Sequence, residues 1–133
     1  MAVAALSLDA WTGGRCAMQD VDRPSWDQIS AGIDALDAER HTLLTLNGGK
    51  GDVLMIGGGA GRYVGVYQPG EDEFWNLHSD RPAEGQPILL NCGGQEGDFR
   101  PDEIVSIEQV RAAARTLFDT GGVDVGLGWR LQD

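Results

Sequence analysis

Lysine is nearly missing from this chain. Lys50 stands alone beside nine arginines, so ten basic side chains face 21 Asp and Glu, and the formal net charge is −11. A surface of that sign repels phosphate backbones and anionic lipid. It argues against nucleic acid and membranes as partners and in favour of a basic protein. Acidity also serves plain solubility, so charge points to a class of partner and no further. Cysteine is equally scarce. Cys16 and Cys92 fit no paired metal or redox spacing and read as reduced thiols in a reducing compartment.

The two histidines, His41 and His78, fall in different predicted elements, and neither has a second His, Cys or carboxylate at ligand spacing. No apolar run is long enough to span a bilayer. Met1–Leu8 is apolar, but no Lys or Arg precedes it and Asp9 stops it. Neither a signal peptide nor an anchor is therefore expected, and the expected location is cytoplasmic. No repeat, low-complexity tract or linker divides the sequence. With 133 residues, 41% of them hydrophobic, one domain spanning residues 1–133 can close one core.

Glycine, by contrast, is abundant, at 20 residues, and invites a nucleotide-binding reading. Gly57–Gly61 follows a predicted strand, as a phosphate loop should. Arg62–Gln68 then reads as another strand, where a P-loop or dinucleotide fingerprint needs a helix N-terminus facing the phosphates. After Lys50, Gly51-Asp52 replaces the hydroxyl residue that would hold magnesium. Hairpin turns needing positive φ account for the glycines. A zinc deaminase needs His-x-Glu and Pro-Cys-x-x-Cys, whereas Cys92 stands alone before Gly93. No nucleophile elbow or triad context is present. No catalytic residue, cofactor or metal ligand is assigned, and the chain is read as not an enzyme.

What the sequence does contain is a clear pair of helices. Ser106 with Gln109 makes a capping box, the hydroxyl accepting from an early N–H while the amide reaches back. Ile107, Val110, Ala113, Ala114, Leu117 and Phe118 then fall within an arc of roughly 140° at helical spacing. Gly121 can close the end in the left-handed conformation. A second box, Ser25 with Gln28, opens a helix carrying Trp26, Ile29, Ile33 and Leu36 on one face and ending near Asp37–Glu39.

Between the helices, Thr42–Leu46, Asp52–Ile56, Arg62–Gln68, Phe74–His78 and Pro87–Asn91 read as strands joined by glycine or polar turns, the last of them Arg81–Gln86. Ala2–Leu8 is an expected edge strand, Asp9–Asp22 a loop or loose hairpin, and Ile104-Val105 a short strand before the second helix. Trp129 is expected to pack under that helix. Consecutive strands with short turns pair antiparallel. The expected fold class is α+β: an antiparallel sheet of five or six strands in a meander, with two helices packed on one face and the other open to a partner.

One stretch carries a family resemblance. Cys92-Gly93-Gly94-Gln95, Phe99, Ile104-Val105-Ser106, the Ala112–Phe118 helix face and Trp129 resemble a bacterial immunity-protein family, the first-numbered of the Imm families. The likeness continues over Pro24-Ser25-Trp26, Ile33–Leu36, Leu54–Gly58 and Arg62–Val66, in the same order. That family accompanies deaminase-type toxins of polymorphic toxin systems. The resemblance implies a small α+β domain without catalysis that acts by binding its cognate toxin. The shared residues look structural, so no binding residue is carried over from the family.

A nucleic-acid-acting toxin has a basic substrate channel, which an acidic protein can enter where phosphates would lie. The expected contacts are Glu71, Asp72, Glu73 and Trp75, with Glu96 and Asp98: carboxylates beside aromatics on loops. Solvated turns with inward-pointing aromatics explain the same residues, and Trp11 is a further plausible contact. The alternatives are an inhibitor of a nuclease or ADP-ribosyltransferase toxin, a non-catalytic protein-binding adaptor, or a small enzyme using Asp98 with Glu96.

Overall fold

The structure is a computed structural model that describes residues 3–80 and 84–132. Ala2 and Arg81–Ala83, to which parts of two sequence expectations refer, lie outside the described residues. Both capping boxes form. In α1 (Trp26–Ala35), Ser25 Oγ accepts from the Gln28 N–H at 3.1 Å while Gln28 Oε1 accepts from the Ser25 N–H at 2.9 Å. In α2 (Ile107–Thr120), Ser106 and Gln109 exchange the same two bonds at 3.1 and 3.2 Å. Gly121, at φ 75°, closes α2 as the sequence suggests. The first helix stops short of Asp37–Glu39. Asp37 Oδ1 accepts from the backbone N–H groups of Glu39, Arg40 and His41 at 2.9–3.0 Å, a local turn that competes with further helix. Those bonds, His41 first, hold the Asp37 carboxyl below its ordinary value.

Among the described residues there are nine strands, in chain order β1 (Val3–Thr12), β2 (Arg15–Asp22), β3 (Leu43–Gly48), β4 (Val53–Gly59), β5 (Arg62–Gln68), β6 (Trp75–Leu77), β7 (Ile88–Cys92), β8 (Gln95–Phe99) and β9 (Trp129–Leu131). Seven form one antiparallel sheet in the order β2-β1-β3-β4-β5-β6-β9, and β7-β8 form a separate hairpin. The fold is mixed α and β as expected, with more strands than the five or six anticipated.

Several differences have a physical origin. Arg15–Asp22 is a full edge strand rather than a loop. It alternates in no readable way because nearly all of it is exposed. Val3–Thr12 consequently lies inside the sheet, between β2 and β3, and not at its edge. Ile88–Cys92 leaves the meander and pairs only with Gln95–Phe99, which reads as an acidic loop. Trp129 belongs to β9, opposite Leu77 of β6. Ile104-Val105 contributes only a bridge from Val105 to Tyr63.

A single core joins the layers. Ile29 and Ile33 of α1 and Val110, Ala113, Ala114 and Leu117 of α2 share one buried cluster with Leu6, Leu8, Leu44, Leu46, Leu54, Ile56, Tyr63 and Tyr67. The sheet residues of that cluster alternate along their strands, so they belong to one face. The opposite parity meets the β7–β8 hairpin. A Cβ at Gly57 would come within 2.6 Å of Cys92 Sγ, and one at Gly94 within 2.1 Å of the Trp11 ring, so both glycines permit the close approach.

Candidate functional site

The six residues expected to make contact divide between two elements. Glu71, Asp72 and Glu73 form an exposed run between β5 and β6, where Pro69-Gly70 ends the preceding strand. Trp75 opens β6, opposite Tyr67 and Leu131, and is half-buried against the core. Its indole N–H donates to Glu73 Oε1 at 3.1 Å, so this aromatic and this carboxylate are brought together.

Glu96 and Asp98 lie on β8, two residues apart and therefore on one side of the strand, opposite Asn91 and Leu89 respectively. Both carboxylates are exposed, and Leu89, on β7 across from Asp98, is 61% exposed. The result is an apolar side chain framed by acids on the outer surface of a two-stranded hairpin. Asp98 also edges a cavity of about 230 Å³ with Phe99, Asn76 and Glu103, where Asn76 Nδ2 donates to Glu103 Oε2 at 2.8 Å. Among the described residues no hydrogen bond or ion pair joins the β5–β6 run to the hairpin carboxylates.

Sequence reasoning misses the group that seats this hairpin. Asp9 is 3% exposed. Its carboxylate accepts from the backbone N–H of Thr42 at 2.6 Å and of Leu43 at 2.9 Å, from the Trp11 indole at 2.8 Å, and through a short bond from the Thr42 hydroxyl. Thr42 Oγ1 in turn accepts from the Gly94 N–H at 3.0 Å. A buried carboxylate in β1 thus tethers the β7–β8 turn through one threonine. Trp11, a plausible contact from the sequence, is occupied here. Asp9 and Thr42 lie far apart in sequence and no local motif joins them, so no sequence signal announces the tether. Cys92 sits beside it, and burial, then the Asp9 charge, push its thiol up to about 11, leaving it a poor nucleophile.

Two of the other hollows among the described residues lie near these elements. The larger, about 680 Å³, opens at the start of α2 and is lined by Ser79, Asp80, Ser106, Glu108, Gln109 and Leu127 among others. Its ionisable side chains, Asp80 and Glu108, are both exposed, and neither Glu96 nor Asp98 reaches it. A smaller apolar one, about 250 Å³, is walled by Tyr67, Trp75, Val123 and Trp129. The Tyr67 hydroxyl donates to the buried Asp52 carboxylate at 2.7 Å. Burial, then Asp52, raise the hydroxyl's pKa, so it remains a donor. Among the described residues no three His, Cys, Asp or Glu converge as metal ligands, and no helix is long and apolar enough to cross a membrane.

No curated protein matches this sequence. The family described as Immunity protein Imm1 matches residues 18–131, a span that takes in both helices, β3 to β9 and all six expected contact residues. The match covers far more than half of the chain, and the chain belongs to the Imm1 immunity-protein family.

Proposed function

We propose that this chain is the non-catalytic antitoxin of a secreted bacterial toxin, binding it in the cytoplasm and holding it inactive by covering a basic active-site cleft. Membership of the immunity-protein family carries the class of function. The mode of inhibition is supported by a net charge of −11 together with exposed carboxylates at Glu71, Asp72, Glu73, Glu96 and Asp98. A toxin acting on nucleic acid must attract phosphates, so its cleft attracts these side chains by the same field. Trp75, half-buried beside Glu73, supplies an apolar anchor within the charged surround.

The toxin chemistry we favour is nucleic-acid deamination. An immunity protein has to hold its enzyme for long times, because one escaped molecule keeps turning over. The tightest inhibitor–nuclease pairs have Kd on the order of 10⁻¹³ to 10⁻¹⁶ M, which sets the scale needed.

The test is to purify the chain with the toxin domain encoded beside it and to assay base deamination on single-stranded nucleic acid. A stoichiometric complex with no residual deamination is the expected result. Full toxin activity in the presence of excess chain overturns the reading. Suppression of strand cleavage in place of deamination moves the partner to the nucleases.

A further inference from the structure

A small aromatic hollow opens at the β6–β9 end of the sheet, at the margin of the core against which its walls pack. Three adjacent strands each contribute one ring on the same side: Tyr67 from β5, Trp75 directly opposite it on β6, and Trp129 on β9 opposite Leu77. Val123, just past the end of α2, closes the fourth wall. Each ring is held by its polar atom: Tyr67 by Asp52 at 2.7 Å, Trp75 by Glu73 at 3.1 Å, and Trp129 by the Asp124 carbonyl at 3.0 Å. Tyr67 and Trp129 stand edge to face, with centroids 6.3 Å apart and planes at 64°. The polar atoms of all three rings are thus engaged, and what the rings offer the hollow is apolar aromatic surface. At about 250 Å³ the hollow is smaller than the roughly 300–1,000 Å³ typical of cofactor and small-molecule sites, and suits one side chain.

Its surroundings favour a cation. Ring faces are the negative part of the aromatic quadrupole. The exposed Glu71-Asp72-Glu73 run borders Trp75, and Glu73 touches its indole edge. α2 ends three residues before Val123 and carries no basic residue in its last turn, so no cation of its own faces the partial negative charge of its C-terminus. None of the residues lining the hollow is an arginine or the lysine.

We infer that this hollow is a socket for one arginine side chain of the toxin. The guanidinium would lie against the Trp75 and Trp129 rings, with its N–H donors turned to the Glu73 carboxylate. Arginine fits better than lysine because its planar, weakly hydrated head both stacks on aromatic faces and offers several donors to a carboxylate. This inference rests on the toxin-binding reading above and assigns one contact within it.

The experiment uses the full-length chain, ¹⁵N-labelled, titrated with N-acetyl-arginine methylamide or, in parallel, with N-acetyl-norleucine methylamide. Saturable shifts of the Trp75 and Trp129 indole N–H signals with the arginine probe alone are expected, with those of Trp11 and Trp26 unmoved. Glu73→Gln, at an exposed position, should weaken that binding several-fold without affecting the fold. In complex with the toxin domain, Trp75→Leu should raise Kd by roughly 10- to 30-fold. Equal shifts with the neutral probe, or none with either, overturn the socket. So does an unchanged toxin Kd in both Glu73→Gln and Trp75→Leu. Those results leave wild-type neutralisation of the toxin intact, so they are distinct from failure of the toxin-binding reading, in which the unaltered chain does not inhibit.

Discussion

Two hairpins of this protein use similar parts and end differently. The β4–β5 and β7–β8 pairs are both antiparallel and both turn on glycine, at Gly59–Gly61 and at Gly93-Gly94. The first lies at the centre of the sheet and buries Leu54, Ile56, Tyr63 and Tyr67 in the core cluster. The second buries only Leu90 fully among its hydrophobics and stands apart from the main sheet. Apolar alternation on one strand face places the first, because a one-residue slip would expose every core side chain. A polar tether from Asp9 through Thr42 to Gly94, and two glycines that allow close approach, hold the second. Held in that way, the second hairpin presents Leu89, Glu96 and Asp98 to solvent. On the proposed function, that exposed surface is available to the toxin because the core does not claim it.

The largest loss of stability is expected in the central hairpin. Ile56→Ala removes a fully buried side chain at the middle of the sheet and should cost about 2–5 kcal/mol of global stability, read as a lower midpoint in urea unfolding. A variant that keeps the wild-type midpoint would mean that the central hairpin is not what holds the core.

The tether should matter next. Asp9→Ala strands the buried Thr42 hydroxyl and the Thr42 and Leu43 N–H groups, at about 1–3 kcal/mol for an unsatisfied buried group. Its distinguishing sign is local: hydrogen exchange at Gly94 and alkylation of Cys92 should both accelerate, while Cys16, already exposed, reacts as before. Unchanged exchange at Gly94 would remove Asp9 from the seating of the hairpin.

Cys92 supplies a milder probe through pH. Its folded pKa is raised to about 11 from an ordinary value of 9.0, so the unfolded chain loses this proton first. Stability is therefore present in full below pH 9 and falls as pH rises from 9 towards 11. Cys92→Ala should flatten that decline in denaturant titrations across the same window. An equally steep decline in the variant would assign it to other groups.

The smallest effect on stability belongs to the outermost residues. Reversing Glu71, Asp72 and Glu73 to lysine alters exposed side chains and should shift the unfolding free energy by only about 0.5 kcal/mol. Association with the toxin should nevertheless slow and lose much of its salt dependence, as measured by stopped-flow mixing at several ionic strengths. Unchanged rates would exclude this run from the interface.

Legibility follows the same division. The helices could be read because capping boxes and helical spacing are local, and Ser25–Gln28 and Ser106–Gln109 form as written. The turn at Gly93-Gly94 could also be read, since successive positive φ values, 69° and 81°, need glycine. The strand status of Arg15–Asp22 and Gln95–Phe99 could not, because exposure on most of their length erases the alternation that marks a half-buried strand. Of the residues proposed to make contact, the Glu73–Trp75 and Glu96–Asp98 associations follow from their closeness in sequence. The Tyr67–Trp75–Trp129 hollow does not, because β9 comes from the far end of the chain.

The sequence by itself determined the charge, which is a sum over its residues, and the two amphipathic helices and the turns, which depend on residues within a few positions of one another. Tertiary structure alone decided that β7 would leave the sheet, that β9 would take the place beside β6, and that Asp9 would be buried under a distant threonine. Those outcomes depend on which surfaces exclude water together and which buried polar groups find partners, and both are settled only when remote segments meet.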